Sequence, residues 1–248
     1  MIRFESLTRE FDDKTAVDNL TLEVPAGSLF GFLGPNGAGK TTTIRMLMGL
    51  LQPTRGKAFI QGIDVTKNPI EVRARVGYLP DEVFLYDYLT GRQFLEFIAD
   101  INGLSADVRD KRIDHFLTLF QLDSAAGDYT TNYSFGMKKK LALAGIMLNN
   151  PPVLILDEPF NGLDPQAIKD FRELLNGLIN KGHTVLFSSH VLEVVEKLVT
   201  HVGIIHQGKL KVSGTIEELQ EGNLGSLEKA FFTYTKTIPI EEHSAAKS

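Results

Sequence analysis

"GPNGAGKTT" occupies Gly34 to Thr42. Gly34 is followed five positions later by Gly39-Lys40-Thr41, the spacing of a loop whose backbone N–H groups curl around phosphates. In that pattern the lysine reaches the outer phosphates and the Thr41 hydroxyl can bind Mg²⁺. The flanks agree. "SLFGFLG" before the loop is a short apolar strand, and Lys40 to Leu50 reads as a helix that ends near Gln52-Pro53. A glycine-rich turn that holds nothing is the plainer alternative. It does not account for a lysine and a threonine at the two positions where phosphate chemistry needs them.

A second strand end carries acids. "VLIL", Val153 to Leu156, is a fully apolar run of the buried parallel type, and Asp157 and Glu158 follow it. Ligands of α/β sheets sit at the carboxyl ends of strands. Asp157 is placed to hold Mg²⁺ through water, and Glu158 to accept a proton from an attacking water. The alternative is a solvated acidic pair. "FSSH" puts His190 just past another apolar strand, "TVLFSS". An imidazole there can hold a γ-phosphate or orient the water; otherwise it is a histidine near a helix cap, with Ser188 or Ser189 as N-cap. His115, His183, His201, His206 and His243 have no metal-ligand spacing.

Composition narrows the function class. Of 248 residues, 43% are hydrophobic and 23% charged, the mix of a soluble globular chain. The net charge of -5 does not favour general nucleic-acid binding. Cysteine is absent, which removes disulfides and thiolate metal sites. "MIRFESLTRE" lacks the apolar core of a secretory signal. The longest uncharged runs, Val24 to Gly39 and Leu141 to Leu156, are broken by proline and glycine or by "NNPP". A span needs about 20 mostly apolar residues, so any membrane part must come from another chain.

The first third reads as strands joined by turns: "IRFESL", "AVDNLTLEV", "GKAFIQGIDV" and "RVGYLP". A helical insertion follows, roughly Phe84 to Leu148. Thr90 to Gln93 is a capping box, and Phe94, Leu95, Ile98 and Ile101 share a face. Ser105 can cap the next helix, which carries Ile113, Phe116, Leu117 and Phe120. The α/β frame then resumes with a helix over Pro165 to Asn180, another over Val191 to Leu198, and a hairpin turning near Gln207-Gly208. From Gly222 the pattern is weak, and "EEHSAAKS" reads as a frayed end.

"YSFGMKKK", Tyr133 to Lys140, places three lysines in the first turns of a helix. A helix N-terminus carries partial positive charge, so cations there are unfavourable unless an anion arrives. The alternative for at least two of the lysines is a solvated face.

In this order, the motifs strongly resemble the ATP-binding-cassette (ABC) ATPases, over about Ile2 to Leu219. The resemblance implies a P-loop NTPase of α/β class, with an antiparallel β part near the N-terminus and an α-helical subdomain at about 84–148 inserted in a RecA-like core. It makes 1–220 a single domain and 221–248 an extension. Gly34, Asn36, Gly37, Ala38, Gly39, Lys40, Thr41 and Thr42 then form the nucleotide loop, Val153 to Glu158 the Walker B strand and catalytic acid, Asn161 to Asp164 the D-loop, and His190 the switch histidine. Phe11 stands where the family stacks an aromatic on adenine, with core packing as its alternative.

"YSFGM" occupies the place of the signature usually read LSGGQ. The resemblance implies that two cassettes meet head to tail, Ser134 and Gly136 of one touching ATP held by the other. That ATP would be the awaited anion. Two departures stand out. Phe135 replaces the first signature glycine, which is costly if the position needs φ > 0. Asp81 replaces the Q-loop glutamine, as a direct or water-mediated Mg²⁺ contact or as a residue withdrawn from the metal. "GYLPDE" and "YSFGMKKK" together look like the bacterial ABC-2 branch, whose ATPases pair with separate permeases and mostly drive export. Phe84, Tyr86 and Tyr88 are then candidates for the permease groove, or for packing within the helical subdomain. The resemblance implies ATP and Mg²⁺ as cofactors, a second ATPase subunit and a transmembrane permease as partners, and a cytoplasmic place on the inner face of the membrane. The rival readings are a soluble ABC ATPase acting on ribosomes or DNA, and an ATP-binding regulator without turnover.

Overall fold

A computed structural model describes residues 1–219 and 226–235. Two sheets organise it. Strands β1 (Ile2–Phe11), β2 (Lys14–Val24), β4 (Arg55–Ile60) and β5 (Ile63–Asp64) form an antiparallel sheet in the order β2-β1-β4-β5. The second sheet runs β10-β9-β3-β8-β7-β6, with β3 at Leu29–Leu33, β6 at Val76–Leu79, β7 at Val153–Leu156, β8 at Thr184–Ser189, β9 at His201–His206 and β10 at Lys209–Thr215. Its strands are parallel except β10, which folds back on β9. Gln207 and Gly208 both take φ > 0 in that hairpin turn, at the predicted place. Every residue of β3, β7 and β8 is buried, as expected of parallel strands covered on both faces.

The helices are α1 (Lys40–Leu47), α2 (Pro69–Arg73), α3 (Gly91–Ile101), α4 (Ala106–Leu119), α5 (Phe135–Met147), α6 (Pro165–Asn180), α7 (Leu192–Glu196), α8 (Ile216–Leu219) and α9 (Leu227–Thr235). The capping box of α3 is made: the Gln93 N–H donates to Thr90 Oγ1 at 3.2 Å and the Thr90 N–H to Gln93 Oε1 at 3.0 Å. Such a cap is worth about 1 kcal/mol. Phe94 and Leu95 are buried, as are Ile113, Phe116, Leu117 and Phe120 of and just beyond α4.

Several local expectations differ. Ile101 is exposed; Ala99, four residues after Leu95, takes the inward place. Ser105 makes no side-chain cap bond. Helix α1 stops before Leu50 because Gly49 leaves helical geometry with φ +65°. α7 is shorter than Val191 to Leu198, and its N-cap is Val191. Ser189 instead accepts the Val191 N–H in a local turn at 3.0 Å. The weakly patterned tail contains α9, whose Leu227, Ala230 and Phe231 join the main core. The frayed end read at 241–248, with His243, lies outside the described residues.

Candidate active site

Strand register brings the motifs together. Leu33 of β3 pairs with Ser189 of β8, Leu156 of β7 with Phe187 of β8, and Leu79 of β6 with Leu156. The carboxyl ends of four adjacent strands therefore finish at one edge of the sheet. The phosphate-type loop leaves β3, Asp157 and Glu158 leave β7, His190 leaves β8, and Asp81 stands two residues beyond β6.

The loop geometry depends on its glycines. A Cβ on Gly34 would lie 2.3 Å from the Ile205 carbonyl oxygen. Gly39 has φ +109°, and a Cβ there would lie 2.5 Å from the Ala16 carbonyl oxygen. The loop encloses a cavity of about 220 Å³, lined by Asn36 to Thr42 with Lys14, Ala16, Asp81 and Glu158. Helix α1 opens on this cavity with no acid in its first turn, which suits an anion. Lys40 is buried, and its ammonium donates to the Gly34 carbonyl at 2.7 Å and the Pro35 carbonyl at 3.3 Å.

Glu158 joins the two other predicted groups. Oε1 lies 3.3 Å from Lys40 Nζ, and Oε2 lies 3.0 Å from His190 Nδ1. Lysine, glutamate and histidine thus form a chain from the cavity to the end of β8. Asp157 is wholly buried. Its Oδ1 accepts from the Ser188 hydroxyl, the Thr41 hydroxyl lies near enough to the same carboxylate to favour its charged form, and Oδ2 has no partner. Burial pushes the Asp157 carboxyl above the usual carboxylate range; the two hydroxyls oppose this, and Asp81 and Glu158 add to it by repulsion. A buried carboxylate oxygen without a partner is costly unless a cation completes it. With the Thr41 hydroxyl beside it, the pair fits Mg²⁺. Among the described residues no cluster of three or more His, Asp or Glu could hold a metal alone. A cation here would take its other oxygens from phosphate and water, the habit of Mg²⁺ at nucleotide sites.

Ser134 caps α5, accepting the Met137 N–H at 3.3 Å, and is exposed. Neither Ser134 nor Gly136 lines the cavity of its own chain. Phe135 is not at positive φ, so it carries no backbone strain at the signature position. Its ring lies over Gly162 of "NGLD", where a Cβ would come within 2.3 Å of it. Gly136 is needed for the same contact, since its Cβ would lie 2.9 Å from the Gly162 carbonyl oxygen.

The solvated-face alternative fails for two of the three lysines. Lys139 is 0% exposed and donates to the Glu158 carbonyl. Lys140 is mostly covered, 3.3 Å from Asp164. Core packing fails for Phe11, whose ring is 41% exposed with the Arg9 guanidinium 4.3 Å from its centroid. Lys14 and Ala16 of the same hairpin reach the cavity.

Two residues of the network were missed from sequence. Ser188 accepts the Glu158 N–H at 2.9 Å while its hydroxyl donates to Asp157. It looked like a cap candidate because only the β7–β8 register brings it beside the acids. Lys139 looked like one of three equivalent surface lysines.

The sequence pattern described as ABC transporter matches residues 17–161. The chain belongs to the ABC transporter family. This ABC ATPase is 39% identical over 243 residues to the bacitracin transport ATP-binding protein BcrA of Bacillus licheniformis, covering 98% of this chain and 78% of that one. It is 38% identical over 224 residues to the Nod factor export ATP-binding protein I of Burkholderia pseudomallei (strain 1710b), covering 90% and 74%. A solved ATP-binding subunit of an ABC transporter superposes with a TM-score of 0.87 at 31% identity, over 94% of this chain and 99% of that one. Membership of this family makes the chain an ATPase, a hydrolase of ATP. Among the described residues no helix is long and apolar enough to cross a membrane.

Proposed function

We propose that this ABC ATPase is the nucleotide-binding subunit of an exporter of the ABC-2 branch, working as a head-to-tail pair on the inner face of the membrane and driving a separate permease. Residues 1–220 form its single cassette, with 84–148 as the helical subdomain and 221–248 as an extension.

The observation that carries the transporter reading is an apolar groove of about 410 Å³ between the β6 end and the helical insertion, lined in part by Tyr78, Val83, Phe84, Phe94, Ile98 and Ile146. Phe84 and Tyr88 beside it are 85% and 91% exposed, and Tyr86 stands edge-on to Phe97. Large exposed aromatics around a groove mark a partner surface. The names of the relatives, one in bacitracin transport and one in Nod factor export, support an exporter.

In hydrolysis, the loop amides of Asn36 to Thr42 and the Lys40 ammonium hold the phosphates, and Phe11 faces the base. Thr41 and Asp157, with Asp81 lining the same cavity, would hold Mg²⁺, which would neutralise charge developing on the phosphates. Glu158 accepts the proton of the attacking water, and His190, hydrogen-bonded to it, holds the γ-phosphate side of that water. The exposed Ser134 and the Gly136 amide offer the signature helix tip to the nucleotide of the second subunit. Loss of the γ-phosphate removes what joins the halves, so the pair opens and the permease changes state.

The test is recovery of Glu158→Gln from its native cells in detergent with ATP-Mg²⁺. The variant should bind ATP, lose turnover and bring down one polytopic membrane protein. Ribosomes, nucleic acid or soluble proteins alone would overturn the transporter reading. Unchanged turnover would overturn the base assignment.

A further inference from the structure

Glu158 stands in the left-handed region, with φ +46°. A non-glycine residue there is uncommon and persists when its surroundings hold it from several sides. One side is Ser188, whose Oγ accepts the Glu158 N–H at 2.9 Å. The other is Lys139. Its side chain is fully buried, and its ammonium donates to the Glu158 carbonyl oxygen, which also receives the Asn161 N–H at 3.3 Å. The Phe135 ring lies 5.8 Å from the same ammonium. Burial pushes the Lys139 ammonium below the usual lysine range, and the carboxylates of Asp81, Glu158 and Asp157 oppose that shift.

Burying an ammonium is expensive, and an apolar side chain would fill the same place beneath α5 without that cost. The lysine is the residue that can reach from α5 across to the carbonyl following β7 and donate to it. We propose that Lys139 is a positioning residue: by holding the Glu158 carbonyl it keeps that residue's left-handed backbone, and so aims its carboxylate at the catalytic water. This rests on the assignment of Glu158 as base.

The pair Lys139→Met and Lys139→Gln tests it, with Glu158→Gln measured alongside. Methionine keeps an unbranched apolar stem as far as Cε and removes the donor. Glutamine keeps an N–H donor one bond shorter. In Lys139→Met, kcat for ATP should fall at least about tenfold, since small misplacements of a reacting group cost that much. KM and the affinity for a fluorescent ATP analogue should stay within about twofold, the signature of an interaction that matters only in the transition state. Lys139→Gln should fall between Met and wild type. If Lys139→Met does not fold, a lowered kcat at unchanged affinity in Lys139→Gln carries the test. Wild-type kcat in either folded variant, equal loss in both, or loss of affinity in step with kcat would overturn the proposal. An inactive Glu158→Gln beside a fully active Lys139→Met would overturn Lys139 alone; an active Glu158→Gln would overturn the base assignment and the positioning role with it.

Discussion

His190 Nδ1 and Glu158 Oε2 are 3.0 Å apart, although 32 residues separate them in the chain. Their contact exists because β8 lies beside β7 in parallel register, so that both strand ends deliver a polar side chain to the same point. Glu158 is simultaneously 3.3 Å from Lys40 through its other oxygen. Cutting the Glu158–His190 link should therefore affect turnover more than nucleotide binding.

His190→Ala removes the histidine end of that chain. Its side chain is partly exposed, so folding should survive. ATP turnover should fall by about 10²-fold, the usual weight of a group engaged in proton transfer or water placement. Nucleotide affinity should change little. Phosphate release and an equilibrium titration measure the two quantities. Full turnover would make the histidine a bystander.

Asp157→Asn should separate stability from activity. Burial raises the Asp157 carboxyl in the folded chain, so the folded state holds its proton more tightly than the unfolded state. The associated stability is present below the ordinary carboxylate value and is lost as pH rises through the folded value. At neutral pH the nucleotide-free protein therefore carries a penalty that asparagine removes. Asp157→Asn should melt higher by roughly 2–4 °C, equivalent to about 1 kcal/mol in a chain of this size. The difference should close in acid, and Mg²⁺-dependent turnover should be lost. A lower melting temperature at neutral pH would contradict the burial argument.

Asp81→Ala probes the departure at the Q-loop. Asp81 lines the same cavity as Lys40 and Thr41 and repels Asp157. If it acts on the cation, the Mg²⁺ concentration for half-maximal activity should rise by roughly tenfold, as when a supporting ligand is lost. An unchanged Mg²⁺ curve would make it structural.

Gly162→Ala should destabilise through two causes. Alanine at φ +75° costs about 1–2 kcal/mol, and its Cβ would meet the Phe135 ring. Phe135→Ala removes the second cause only. The double variant should be more stable than additivity predicts, by a coupling of about 1 kcal/mol. Additive melting shifts would deny the contact.

The P-loop, the acid pair after an apolar strand and the capping box were legible because each is written within a few consecutive residues. Local spacing dictates local backbone, and the chemistry follows from the residue types. The places where sequence reading failed share a different cause. Ser188 and Ser189 are adjacent and identical in type, yet one joins the acids and the other closes a turn, because successive residues of a strand point to opposite faces. Lys138, Lys139 and Lys140 read alike, yet α5 turns the middle one wholly into the core, toward Glu158. Phe135 looked costly if its position needed φ > 0; its backbone does not take that geometry, and its ring fills the space over Gly162, from the loop after β7. By itself the sequence determined that this chain is a nucleotide-binding α/β cassette, because phosphate binding needs only a short stretch of backbone. Only the tertiary structure decided which serine and which lysine bond Glu158 and Asp157, and which glycine lies under the Phe135 ring. Those choices are made by strand register and helix rotation, which bring together residues that no local pattern connects.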